Sequence, residues 1–233
     1  MALSVPVCRV NALRRAAASA SEFPGDSPEG WSKSPVDAMD LLQMFPALHL
    51  KAGFILRAYR LFDGGNGNAV VYAMSAGAPF PEPGDWPQNS EHFFVPPVLP
   101  GAVEDVMQVV EGDGSPWSYM SSSIFARELA EFGAKWHGCS WSTHTILGGN
   151  PETDPVDCVE MSGPDTWIWL EPEPEDWRPS VAEGDGHVTV TFYTHTALGA
   201  ERVVRHTDTY EPGMYRFTSE ETVIAEGGLG FVF

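Results

Sequence analysis

One stretch of alternating side chains constrains this chain more than any other feature. From His187 to His195 the residues read His-Val-Thr-Val-Thr-Phe-Tyr-Thr-His. Val188, Val190 and Phe192 therefore point one way, and His187, Thr189, Thr191, Tyr193 and His195 point the other, the period of a half-buried strand. Gly199 marks a turn, and Glu201 to Tyr210 then returns as the antiparallel partner. An even-numbered loop centred on Leu198-Gly199 sets His195 opposite Arg202, Thr191 opposite His206, Thr189 opposite Asp208 and His187 opposite Tyr210. An odd-numbered loop breaks that register.

Further β structure is expected on both sides of the chain. Residues 51–62 and 69–74 read as a hairpin closed by Asp63-Gly-Gly-Asn-Gly-Asn68, whose residues tolerate positive φ. Strands are expected over Val156 to Met161 and Thr166 to Glu171, and a final hairpin over Met214 to Ala225 turns near Ser219. Three helices are predicted. The first starts at the Ser34-Pro35 cap and runs to Phe45, and the second covers Ala102 to Glu111. The third starts at the Ser115-Pro116 cap and buries Trp117, Met120, Ile124, Phe125, Leu129, Phe132 and Trp136, with Arg127, Glu131 and Lys135 on its outer side. Prolines at 79, 81, 83, 87, 96, 97 and 100 exclude helix between the first hairpin and the central helices, leaving a long loop. The fold class expected is α+β: a mostly antiparallel sheet covered by two or three helices.

Residues 1–33 are expected to be a flexible lead-in, and residues 34–233 a single α+β domain. In the first 21 residues Arg9, Arg14 and Arg15 are the only charged side chains among frequent alanine and serine. That composition resembles an organellar transit segment, although a bacterial N-terminus can share it. Cytoplasmic localisation is the expectation, with an organelle as the alternative if residues 1–21 are such a segment. No apolar run reaches the roughly 20 residues that a membrane-spanning helix needs. Cys8, Cys139 and Cys158 lack paired disulfide or zinc-ribbon spacing, which favours a reducing compartment.

Charge narrows the partners. Against 32 acidic residues stand 13 basic ones, a formal net charge of -19. Such a field repels phosphate backbones and anionic lipids, so neither nucleic acid nor membrane is expected, and a protein with a basic surface is. The acid concentrates between Glu152 and Asp185, where Glu171-Pro-Glu-Pro-Glu-Asp-Trp177 reads as an extended, solvent-facing connection. A non-catalytic protein-binding module is therefore the leading expectation. Its binding residues would be Glu171, Glu173, Glu175 and Asp176, with His187, Tyr193, His195 and Arg202 on the polar sheet face.

Reactive side chains gather between Trp136 and His144. His137, Cys139 and His144 are the ligand types of zinc, and a thiolate beside an imidazole is a nucleophilic pair. A metal-dependent or thiol-dependent hydrolase centred there, with His206 or Asp208 as base, is the alternative. No cofactor is expected under the leading reading, and zinc under this one. A third reading is carbohydrate binding through exposed tryptophans such as Trp167 and Trp169. The chain has no G-x-S-x-G, H-E-x-x-H, EF-hand, C-x-x-C or dinucleotide fingerprint.

Overall fold

The computed structural model describes residues 2–24, 28–84, 86, 98–151 and 167–232. Cys158, the expected strand at 156–161, Pro87, Pro96, Pro97 and the acids from Glu152 to Asp165 lie outside the described residues.

The lead-in expected to be flexible contains strand β1 (Ala2–Ser4) and helix α1 (Val7–Ala20). Val10, Leu13 and Ala17 recur on one face of α1 and are buried in the main core, which explains why this segment is held. Strand β2 (Gly30–Lys33) follows, then helix α2 (Ala38–Gln43). The cap of α2 is Asp37, whose carboxylate accepts from the Met39 amide at 3.0 Å. The predicted cap, Ser34, instead bonds Val36 within its own turn.

After β3 (Leu48–Leu50), strands β4 (Phe54–Asp63) and β5 (Asn66–Ser75) form the expected hairpin. Its two-residue turn is Gly64-Gly65, with φ of 56° and 93°, the left-handed backbone that glycine tolerates best. The helix predicted over 102–111 is absent. Asp105 caps a single 3-10 turn at Val106–Gln108, and β6 (Val110–Gly112) then pairs with β3. Helix α3 (Pro116–Ala130) is capped by Ser115 as predicted. It stops short of Trp136, which is 61% exposed with φ of 51°.

The remaining strands are β7 (Thr145–Ile146), β8 (Ile168–Trp169), β9 (Ser180–Gly184), β10 (His187–Thr196), β11 (Ala200–Tyr210) and β12 (Phe217–Leu229). They form a seven-stranded sheet in the order β1-β9-β10-β11-β12-β8, with β7 also paired to β10. The turn expected near Ser219 does not form, because β12 continues through it while pairing with β11 from Phe217 to Leu229. Strands β2, β4 and β5 make a second sheet, and β3 and β6 a third.

The expected α+β arrangement, with helices covering a sheet, is overturned. Strand makes up 40% and helix 22% of the structure, and the large sheet curls into a half-barrel. Two irregularities between β11 and β12, at Ala200/Arg202 and Val203/Val204, accompany the curl. Helix α3 packs against β9 and β10 of the large sheet and against β3 and β5, rather than lying over one flat face. Nine of its residues are buried, including Ser118, Ser121, Ser122 and Ser123. Small serines let strands approach a helix closely on more than one side. Three of them bond β11 and the connection that follows it: Ser118 the Tyr215 hydroxyl, Ser122 the Tyr215 carbonyl and Ser123 the Tyr210 hydroxyl. Gly112 completes the fit, since a Cβ there would meet the Tyr215 ring at 2.4 Å.

Candidate functional site

Register decides which side chains enter the half-barrel. Val188 pairs with Tyr210, Val190 with Asp208, Phe192 with His206 and His195 with Val203. This is one residue away from the even-loop expectation, and a one-residue slip turns a strand over. His206, Asp208 and Tyr210 therefore share the inner face with Phe192, Val190 and Val188, and all six are buried. They do not join His187, Tyr193 and His195 on the other face.

Against these strands α3 presents Arg127, which was expected outside. Its guanidinium donates to both oxygens of the Asp208 carboxylate, at 2.7 and 3.0 Å, and to the Ser219 hydroxyl at 3.0 Å. The pair is almost dry, the Asp208 side chain being fully covered. Removing one member of such a pair typically costs about 3–5 kcal/mol, because the survivor is left charged and unpaired.

Beside it runs a chain of hydrogen bonds. The His144 Nδ1 lies 2.7 Å from the Thr194 hydroxyl, which lies 2.8 Å from the His206 Nε2; the His206 Nδ1 lies 3.1 Å from the Glu221 carboxylate. An ionised Glu221 accepts only, so the His206 Nδ1 carries the proton and its Nε2 accepts from Thr194. The Thr194 oxygen in turn accepts from the His144 Nδ1–H. Burial holds both imidazoles below the usual histidine range, His144 at about 4. The hydrogen bond from His206 holds the Glu221 carboxyl low. Aromatic rings seal the cluster: Phe192 stacks on His206 with centroids 4.7 Å apart, and Trp141 stacks on His144 at 5.6 Å.

Trp141 is the junction between this cluster and the helices. The Arg14 guanidinium, on α1, lies 4.2 Å from its ring centroid and donates to the Trp141 and His144 carbonyls and to Glu128. The indole N–H also donates to Glu128, at 2.8 Å. Glu131, expected to pair with Arg127 and Lys135, turns instead to the loop after α3 and accepts from the Ser140, Trp141 and Ser142 amides. Arg14, Arg127, Glu128, Glu131, Thr194, Ser219 and Glu221 were thus missed as members. Loop parity after β10, which decides the face His206 and Asp208 occupy, would have brought in Arg127, Thr194, Ser219 and Glu221, but it has no local signature, and nothing in the sequence marks Arg14, Glu128 or Glu131.

The other candidates disperse. His137 is exposed, and its amide donates to Asn66. Cys139 is half-buried, and burial pushes its thiol up, the wrong direction for a nucleophile. His144 alone of the three joins His206. Among the described residues no group of three or more His, Cys, Asp or Glu is placed to hold a metal ion.

His195 is buried behind the sheet, its Nε2 3.8 Å from Glu201, and burial lowers its pKa. The outer face it shares with Tyr193 is covered where Trp177 and Tyr193 meet at 5.2 Å and Trp169 meets Trp177 at 6.1 Å. Trp167 and Trp169 are half-buried in this second core. His187 and Arg202 remain outside, Arg202 lying 3.9 Å from Glu226. On the acidic segment Glu171 pairs with Arg205 at 2.6 Å, Asp176 with Arg178 at 2.7 Å, and Glu173 accepts from Asn150; Glu175 is exposed.

Three well-formed hollows among the described residues all leave out His144, His206 and Asp208. One of about 860 Å³ is lined by Val71, Leu99, Val103, Met107, Ala126 and Leu129 among others. One of about 650 Å³ borders Phe23, Glu131 and Cys139, and one of about 330 Å³ borders Tyr119 and His187. No described helix is long and apolar enough to cross a membrane. No family model, no curated protein and no solved structure matches the chain.

Proposed function

We propose that this chain is a non-catalytic binding protein whose partner presents a basic surface. The observation that carries the reading is where the charge lies. The chain has a net charge of -19, and Glu173, Glu175, Asp176, Glu183, Asp185, Glu220 and Glu221 are all exposed on or beside the large sheet. The residues with catalytic potential supply no competing site: His137 and Cys139 diverge from His144, and His206 and Asp208 are bonded in the interior. Opposite charge steers encounter and sets partner choice across an interface of this kind. A cytoplasmic setting belongs to the same reading, supported by Cys8 and Cys139 standing as free thiols.

The test is binding of a lysine-rich peptide across ionic strength. Affinity falls as salt rises, because the charges are exposed and screened. Glu173→Gln, Glu175→Gln and Asp176→Asn together weaken binding more than Glu22→Gln, Asp40→Asn and Glu104→Gln, which remove the same charge elsewhere. An affinity indifferent to salt, or equal effects from the two triple variants, overturns the reading.

A further inference from the structure

The edge of β12 provides a place for that partner. On one side β12 pairs with β11 from Tyr210↔Phe217 to Val204↔Val223 and beyond. On the other side β8 pairs only with Ala225 and Glu226. The Leu170 and Glu171 amides then both donate to the Ile224 carbonyl, where this neighbour's backbone pairing with β12 ends. Among the described residues nothing pairs with the outer side of Phe217–Val223. Alternate N–H and C=O groups of that run have no backbone partner among the described residues, a template for another strand. Seven residues at about 3.3 Å each give the length of a complete strand.

The side chains along this edge select the occupant. Thr218, Ser219, Glu220 and Glu221 are exposed. Residues that face Asp208 and His206 across the ladder, Ser219 and Glu221, share the α3 side of β12, and Glu220 falls on the opposite side. A carboxylate therefore stands on each face. Nearby cations are already matched: Arg127 by Asp208, Arg205 by Glu171 and Arg216 by Asp105. Glu220 has no ion-pair partner among the described residues, and Glu221, which bonds His206 and lies 3.8 Å from Arg127, still leaves 56% of its side chain exposed. A second copy added here would set like charges side by side, which is unfavourable between adjacent strands.

We propose that Phe217–Val223 takes up an extended segment of the partner protein as an added strand, with lysine or arginine side chains meeting Glu220 and Glu221. The proposal rests on the basic-partner reading above. It adds backbone pairing, so that main-chain bonds supply affinity and the two carboxylates supply selectivity.

The experiment uses the full chain and a labelled peptide of alternating lysine and valine. A twin carries N-methyl groups on alternate amides, which keeps the charge and removes the donors along one edge. The twin binds at least about tenfold more weakly, as expected from losing several hydrogen bonds. Glu220→Lys weakens the unmodified peptide, and backbone amide NMR shifts on binding concentrate in Phe217–Val223. Equal binding of the two peptides overturns the strand addition and leaves the basic-partner reading standing. Failure of both peptides, and of oligolysine, at low salt overturns both. A protein-side control guards against misfolding: the circular dichroism of Glu220→Lys must match that of the parent chain.

Discussion

At the scale of residues, the buried His206 and the half-buried His144 make stability depend on pH. His144 and His206 are held below the usual histidine range by burial, so the unfolded chain binds protons more readily than the folded one. Their contribution is complete above about pH 6.5, the unfolded value, and is lost as pH falls toward the folded values, about 4 for His144. A shift of that size corresponds to roughly 3 kcal/mol from His144. Protonating His206 also puts a second donor against the Thr194 hydroxyl, which must then turn its proton away. Denaturant titrations at pH 7 and pH 4.5 are expected to show a clear loss of stability in acid, and replacing His144 with Phe is expected to reduce the slope. A flat profile over that interval contradicts the burial of these rings.

At the scale of elements, the loop 136–144 is fixed by Glu131 at the end of α3 and Arg14 on α1 rather than by its own sequence. Glu131 accepts three of its amides, and Arg14 takes two of its carbonyls. Glu131→Ala removes the charged acceptor that three amides share and leaves them to water, at a cost of about 1–3 kcal/mol in lost charge-assisted bonding. Hydrogen exchange at Ser140, Trp141 and Ser142 should quicken, and Cys139 should label faster; unchanged exchange there would show that the loop is held another way. The same residues mark where the sequence stopped being legible. Spacing along α3 and the Ser115 cap predict the helix, and alternation predicts β10, because both are local patterns. Arg127 and Glu131 look like an outward i,i+4 pair only while α3 is imagined on a surface. In the fold Arg127 instead pairs with Asp208 of the half-barrel, and Glu131 with the amides of the loop that follows the helix. The failed turn at Ser219 has a similar origin: turn-forming chemistry yields to a long ladder with β11. Asp208 and His206 were legible as candidates but assigned to the wrong face, since no local signal fixes whether a loop is odd or even.

At the scale of the whole molecule, polar groups are divided between an interior that fastens and an exterior that carries charge. Arg14 and Glu128, Arg127 and Asp208, and the His144–Thr194–His206 chain tie α1, α3, the loop and the large sheet together, and Glu221 is where that chain reaches the exposed face. The composition announced the exterior, because 32 acids cannot be buried. It was silent on the interior, where the partners of each polar group are far apart in sequence, such as Arg127 and Asp208. It also did not reveal that α1 belongs to the core, because its alanine-rich sequence buries a narrow stripe, Val10, Leu13 and Ala17. The division is open to one direct measurement. Thr194→Val keeps the side-chain shape and deletes the hydroxyl between the two histidines, leaving every exposed carboxylate in place. Peptide affinity of this variant, measured where it is folded, is predicted to equal that of the parent chain; a tenfold loss with the fold intact would make the buried histidines part of the function and contradict the account.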